Sequence, residues 1–407
     1  MAPRRPSVLV VGVSTRAIAE SAARAGYAVA ALDAFADLDL LTTPGVRALS
    51  LRRDFGVAYS TGAAARVAAD LARTLGVDGV AYASGFENHP RAVALLAQGR
   101  ALWGNAPEVL RAVRDPLRVT RALRAAGLPA PRVRASAPER TSAVAVRRWL
   151  VKARASGGGR RVAPWRGGAV IGRSEYLQEW VDGTPGSVVF LANGRDAVAL
   201  ALTRQLIGER DFGARDFRYC GSILAPAGGD VSLAADAPTD ARLLEGAVAV
   251  ARAVTRAFGL VGVNGVDFVA RGGVPLPVEV NPRWSASMEL AELAYGLSVF
   301  AAHVRACAGE LPALDLAALR RRPGAVGKAV LFARRTVTVG DTRGWLASGD
   351  VRDVPHPGER IGRGHPLCTV FARGRDAAEC RAALAERAAH VFAELERSRV
   401  GRARRSA

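Results

Sequence analysis

The chain has 407 residues, half of them hydrophobic, with a formal charge of +20. That length accommodates two or three domains with their own cores. No uninterrupted apolar run reaches membrane-spanning length, and the four scattered cysteines form no C-x-x-C and have no nearby histidine pair, so neither a zinc site nor a disulfide framework is indicated. The positive charge comes almost wholly from arginine. Only Lys152 and Lys328 among the 57 basic residues are lysines, and the arginines spread along the whole chain with no helix-turn-helix, RNP or zinc-finger pattern. A nucleic-acid role is therefore not expected. A retained Lys in such a background points to a position that needs a compact ammonium rather than a broad guanidinium.

The first run, Val8–Val11, is too short for a signal segment and reads as a core strand, so a cytoplasmic protein is expected. Through residues 1–110 strand and helix alternate. A strand, the turn at Gly12, a helix to Arg24 and a strand ending at Asp33 make a Rossmann-like βαβ unit. The glycine fingerprint of dinucleotide binding is missing, which makes an NAD enzyme the second choice. A strand over 77–83 runs into Ser84-Gly85-Phe86-Glu87-Asn88-His89-Pro90, a polar loop at the end where open α/β sheets bind ligands. Glu87 is a candidate to line a substrate site there, with a loop or helix-capping role as the alternative.

Helical text covers 107–126 and stops at Gly127. Strand text at 149–151 delivers Lys152, followed by the turn Ser156-Gly157-Gly158-Gly159-Arg160-Arg161. Successive glycines let backbone N–H groups approach an anion, and a preceding Lys reaches a phosphate. A plain loop explains the same text, and no Walker A pattern is present. The strand Tyr176-Leu177-Gln178-Glu179-Trp180-Val181 can offer its backbone to a purine edge or serve as an ordinary core strand. Helices are expected over 240–258 and 286–308, and a linker at Arg320–Pro323. A β-rich segment from 325 to 397 ends in a helix over about 376–396, and a basic tail over 398–407 is expected to be irregular.

The most telling text is Val-Asp-Phe at 266–268 and Val-Glu-Val-Asn-Pro-Arg at 278–283, separated by the turn residues Gly272 and Gly273. An antiparallel hairpin sets Asp267 across from Glu279, and the two-residue period places Asn281 on the same face as Glu279. Opposed acids need a positive partner between them. Two carboxylates and an amide oxygen suit a hard divalent cation, Mg²⁺ or Mn²⁺, with Arg283 just beyond. An exposed hairpin with surface ion pairs is the plain alternative.

In this order the elements resemble the ATP-grasp superfamily, and within it predicted ATP-dependent carboligases related to biotin carboxylase. The resemblance covers nearly the whole chain. It implies a mixed α/β and α+β protein: a Rossmann-like pre-ATP-grasp domain over 1–110, two α+β lobes over 111–310 divided near 180 that clamp ATP, and a small β-rich C-terminal domain over 325–397. Lys152 with Ser156, Gly157, Gly158 and Gly159 then match the phosphate loop. Gln178, Glu179, Trp180 and Val181 look like the adenine hinge, through the Glu179 carbonyl and the Val181 amide. Asp267, Glu279 and Asn281 match the metal residues, and Arg283 with Lys152 the catalytic cations. Relatives place an Asp-Lys dipeptide where this chain has Asp115-Pro116, with Arg118 or Arg121 as candidate substitutes. The resemblance implies an ATP- and Mg²⁺-dependent ligase that activates a carboxylate as an acyl phosphate for attack by an amine, with a suggested place in coenzyme or one-carbon metabolism. Bicarbonate activation through carboxyphosphate and non-catalytic ATP binding are the alternatives. The expected partners are a small carboxylate and an amine, with a homodimer as the expected assembly.

Overall fold

The computed structural model describes residues 4–137 and 148–405. Near the N-terminus a parallel sheet runs in the order Val46–Ser50, Ala28–Asp33, Ser7–Val11, Gly79–Tyr82, Ala101–Trp103. Val8 to Val11 are fully buried because helices cover the sheet, as continuous apolar strands of parallel sheets require. The order reverses between the first strand and Gly79–Tyr82, and the Glu87 loop leaves the sheet at that point. Asp33 is consumed locally. Its carboxylate accepts from the Thr15 amide (2.6 Å) and hydroxyl (2.7 Å) and from the amides of Phe35 (2.7 Å) and Ala36 (2.9 Å). An acid so engaged is not offered to a ribose, in keeping with the missing glycine fingerprint.

A small four-stranded sheet follows, ordered Val133–Arg134, Glu175–Glu179, Trp149–Ala153, Val162–Pro164. The largest sheet is antiparallel and eight-stranded: Val274–Asn281, Val261–Arg271, Thr184–Asn193, Ala197–Ile207, Tyr219–Leu224, Ala325–Phe332, Pro366–Gly374, Val351–Arg352. The strands after residue 325 thus extend the sheet of the preceding lobe, while their outer part builds a core of its own with the last helix, around Leu331, Cys368, Val370 and Leu384. The first sheet and the central lobe share one continuous core that includes Val8, Ile18, Val188, Phe190 and Phe300.

Three helical expectations change. The stretch 107–126 is two helices, Pro107–Val113 and Pro116–Ala125, because Pro116 cannot donate into a preceding turn and Asp115 caps the second through the Leu117 amide (2.9 Å). The stretch 286–308 breaks into Ala286–Tyr295 and Val299–Cys307 at Gly296, whose φ of +67° ends the first helix with a left-handed cap. The last helix is longer than expected and runs Ala377–Arg405, so residues 398–405 are helical rather than irregular. The helix as a whole contains no proline and is rich in Ala, Glu and Arg, all good helix formers; residues 406 and 407 lie outside the described residues. Among the described residues no helix is long and apolar enough to cross a membrane.

Candidate active site between the lobes

The hairpin forms around Gly272 and Gly273, with Asp267 paired to Glu279 and Gly265 to Asn281. Its register slips just after Asp267, where Phe268 pairs with Pro277 and Val278 is left unpaired. This bulge turns the polar residues to one face and Pro275 and Pro277 to the other, where Gly246 of the helix Ala237–Phe258 packs against Pro275. It also frees the Val278 carbonyl from the ladder. Lys152 Nζ (3.4 Å) and Gln178 Nε2 (3.1 Å), both from the small sheet, donate to that carbonyl instead, and Lys152 also donates to Gln178 Oε1 (3.1 Å). The two lobes meet at this point.

Asn281 Nδ2 donates to Asp267 Oδ2 (2.9 Å), and Gln205 Nε2 donates to the other carboxylate oxygen (2.9 Å). Burial, and then the facing Glu279, push the Asp267 carboxyl up to about 6. Burial acts on Glu279 in the same direction, but the Arg114 guanidinium and the Lys152 ammonium outweigh it and hold Glu279 below the usual carboxylate range. The donor set fits a hard divalent cation. Two acids facing each other in a half-buried place, one pushed up by burial and then by the other, gain directly from a charge set between them, and an amide oxygen completes the group. Among the described residues no cluster of three His, Cys, Asp or Glu side chains is placed to hold a metal, so these two acids and Asn281 are the donors on offer.

Arg114, which the sequence reading passed over, binds the site together. Nη1 donates to Glu279 Oε1 (2.6 Å) and the Val280 carbonyl (3.1 Å), and Nη2 donates to Asn88 Oδ1 (2.9 Å) and the Ser156 carbonyl (2.9 Å). It precedes the capping residue Asp115 and lies two positions before Pro116, where a cation was sought. Arg118 and Arg121 are exposed.

The glycine loop lies against this same group. Asn88 Nδ2 donates to the Ser156 carbonyl (3.2 Å), and the Tyr219 amide donates to the Gly158 carbonyl (3.2 Å). Gly159 has φ +72°, and a Cβ there would fall 1.6 Å from the Phe217 carbonyl oxygen, so no other residue fits. In the hinge strand the Glu179 amide donates to the Arg132 carbonyl (2.8 Å) and the Trp180 amide to the Arg148 carbonyl (2.9 Å). Arg148 lies over the Trp180 ring (4.9 Å), and Val181 follows the strand's end.

Arg283 Nε donates to Glu87 Oε1 (2.9 Å), and Gly85 N–H donates to the other oxygen of Glu87 (2.6 Å). Glu87 thus shapes its own loop through Gly85 and pairs with Arg283 of the hairpin lobe. It is 2% exposed. Arg283 Nη2 also reaches Asn281 Oδ1 (3.4 Å), which joins this pair to the hairpin donors.

From the hairpin a file of polar side chains crosses the large sheet on one face. Glu279 pairs with Asp267, Asp267 with Ser187, and Ser187 with Thr203; two residues on, Gln205 pairs with Ser222, and Ser222 with Lys328. The helix Ala286–Tyr295 covers the far half. Thr203 Oγ1 donates to Ser287 Oγ (3.3 Å), Ser287 Oγ to Ser222 Oγ (3.2 Å), and Lys328 Nζ to Glu289 Oε2 (2.6 Å). Arg16, from the first domain, grips the same Glu289 through Nη1 (2.6 Å) and Nη2 (3.2 Å) and bonds Asp353 through Nε (2.9 Å). This buried network ties three parts of the chain beneath the site. Both lysines of the chain end on buried oxygens, one on each side of it.

Residues 113–287 match the family model of the ATP-grasp domain. A search of curated protein sequences gives no match. Among solved structures the chain resembles Rhizobium etli pyruvate carboxylase (15% identity, TM-score 0.71, 95% of this chain and 37% of that one), so it spans well under half of that enzyme. It resembles L-amino acid ligase from Bacillus licheniformis over 95% of this chain and 97% of that one, with 16% identity and a TM-score of 0.67. The biotin carboxylase domain of Hydrogenobacter thermophilus 2-oxoglutarate carboxylase, a dimer solved with MgADP and bicarbonate, matches at 16% identity and a TM-score of 0.66 over 91% of this chain and 86% of that one. Two lobes meet at Lys152 and the hairpin, and the ATP-grasp domain match over residues 113–287 spans both of them.

Proposed function

We propose that this chain is an ATP- and magnesium-dependent ligase that activates a carboxylate as an acyl phosphate and passes the acyl group to an amine. The convergence of Asp267, Glu279 and Asn281 with Lys152 at the seam of the lobes, next to the Arg283–Glu87 pair, carries this reading. Phosphoryl transfer demands positioning and neutralisation of charge rather than a side-chain nucleophile. Asp267, Glu279 and the Asn281 amide oxygen would hold a magnesium ion, which would supply positive charge to the phosphates. Lys152 and the amides of Gly157–Gly159 are the chain's own groups for the transferring phosphate. The hinge backbone at Glu179–Val181 takes the adenine. Arg283, oriented by Glu87, holds the carboxylate so that its oxygen faces the γ-phosphorus. The carboxylate oxygen displaces ADP from the γ-phosphorus; the amine nitrogen then bonds to the acyl carbon as its bond to the phosphate oxygen breaks, and the amine proton leaves to solvent or to the departing phosphate.

The fold is shared with an amino-acid ligase over nearly the full length of both chains, which favours an amine acceptor. The test is a panel of carboxylates and amines with Mg·ATP, reading phosphate release and the hydroxamate formed when hydroxylamine intercepts an acyl phosphate. Release that depends on bicarbonate alone would move the assignment to carboxyphosphate chemistry. Tight Mg·ATP binding with no turnover across the panel, and no change in Glu279→Gln, would leave a nucleotide-binding protein without ligase activity.

A further inference from the structure

A second cleft, of about 270 Å³, opens far along the helix Ala286–Tyr295 from the site. Its walls combine Leu224, Pro226 and Val326 with Arg322, Arg373 and Tyr295. Tyr295 is 6% exposed, yet its hydroxyl has no hydrogen-bond partner. A buried hydroxyl left unpaired costs stability unless something bonds it. Burial also pushes this hydroxyl up to about 12, so it remains a proton donor at neutral pH. The two guanidiniums at the rim are held by backbone carbonyls: Arg322 Nη1 by that of Tyr295 (2.9 Å) and Arg373 Nη2 by that of Leu293 (3.4 Å). Both arginines are exposed and keep donors for a ligand.

We propose that this cleft binds a small organic anion, with its oxyanion head between Arg322 and Arg373, accepting from the Tyr295 hydroxyl, and a short apolar body against Leu224, Pro226 and Val326. Two planar guanidiniums suit a carboxylate or phosphate head, and a single hydroxyl at the floor fixes its depth. The site goes beyond the ligase reading and does not rest on it. Its position gives it a mechanical link to the first site all the same. Tyr295 is the last residue of the helix whose first turns carry Ser287 and Glu289, and the linker that holds Arg322 leads into the strand that carries Lys328.

The experiment is calorimetric titration of the full chain with butyl phosphate, butyrate and inorganic phosphate, in the wild type, Tyr295→Phe, Arg373→Gln and Glu279→Gln. At least one of the two butyl probes should bind saturably at one site, and more tightly than inorganic phosphate. Arg373→Gln should weaken that binding about tenfold or more and Tyr295→Phe severalfold, while Glu279→Gln leaves it unchanged. An unshifted melting temperature in Tyr295→Phe without ligand separates lost binding from lost folding. No saturable binding of any probe at millimolar concentration, equal affinity in all four proteins, or loss only in Glu279→Gln would each overturn the site; the last would place the anion in the first site.

Discussion

Arg283 Nε and Glu87 Oε1 stand 2.9 Å apart across the junction of the N-terminal domain and the hairpin lobe, with Glu87 almost fully buried. The arginine proposed to hold the substrate is thus oriented by a domain that supplies none of the metal donors. Glu87→Gln keeps an acceptor but removes the charge. It should raise KM for the carboxylate about tenfold and lower kcat less, whereas Arg283→Lys, which loses the forked geometry, should lower kcat/KM by about a hundredfold or more. Steady-state kinetics on the carboxylate measures both. Equal effects from the two variants would show that Arg283 acts on its own.

Arg114 is the main counter-charge for Glu279. Arg114→Met leaves that half-buried carboxylate facing Asp267 without its partner, at a cost of about 1–3 kcal/mol. Chemical unfolding of the nucleotide-free protein should show the loss, and added Mg²⁺ should restore more stability to this variant than to the wild type.

Asp267 supplies a pH dependence with a definite sign. Its carboxyl is raised to about 6 from an ordinary 3.8, so between those values the folded chain holds a proton that the unfolded chain has lost. Stability without metal therefore falls as pH rises from about 4 to 6, by about 3 kcal/mol when the whole shift is counted. Asp267→Asn removes this cost, and its melting temperature at pH 7 without metal should exceed that of the wild type. The same variant should lose the stabilisation given by Mg·ATP. Thermal melts across pH, with and without Mg·ATP, decide the matter.

Glu289 behaves oppositely. Burial would raise it, but Arg16 and Lys328 hold it well below its ordinary 4.5. The stability it contributes is present above about pH 4.5 and is lost as pH falls below that value. Lys328→Met should cost about 3 kcal/mol and make acid unfolding less steep, while Lys328→Met combined with Glu289→Met should be much closer to the wild type than the sum of the two single variants. Urea titrations at pH 7 and pH 4 provide the cycle.

Gly159→Ala puts a methyl group onto the Phe217 carbonyl at a left-handed φ. The loop must leave its seat, so KM for ATP should rise about tenfold with a smaller change in the melting temperature. Nucleotide titration followed by Trp fluorescence reads it, since Trp180 packs edge-on against Phe217 at 5.5 Å.

The hairpin was readable in the text because Gly272 and Gly273 sit between two short apolar runs whose alternation fixes the facing of Glu279 and Asn281. Lys152 stood out for a compositional reason, its rarity in an arginine-rich chain. Arg114 was hidden by that same composition, since one arginine among dozens carries no signal until the fold brings Glu279 to it from 165 residues away. The bulge at Val278 was hidden too, because periodicity registers side-chain facing and not which carbonyl goes unpaired. The joining of the strands after 325 to the large sheet depends on pairing between Tyr219–Leu224 and Ala325–Phe332, a long-range choice with no local mark. Gly296 was visible, but a glycine within helical text does not by itself say whether the helix ends there.

The strand Val274–Asn281 lies at the open margin of the eight-stranded sheet, where unpaired backbone groups invite a foreign strand to add on. Pro275 and Pro277 lack the N–H that such a rung would use, and the bulge at Val278 bends the margin away. The outermost strand therefore cannot template aggregation, and its one liberated carbonyl goes to the opposing lobe. The feature that turns Glu279 and Asn281 to one face also keeps this margin of the sheet clear of other polypeptides.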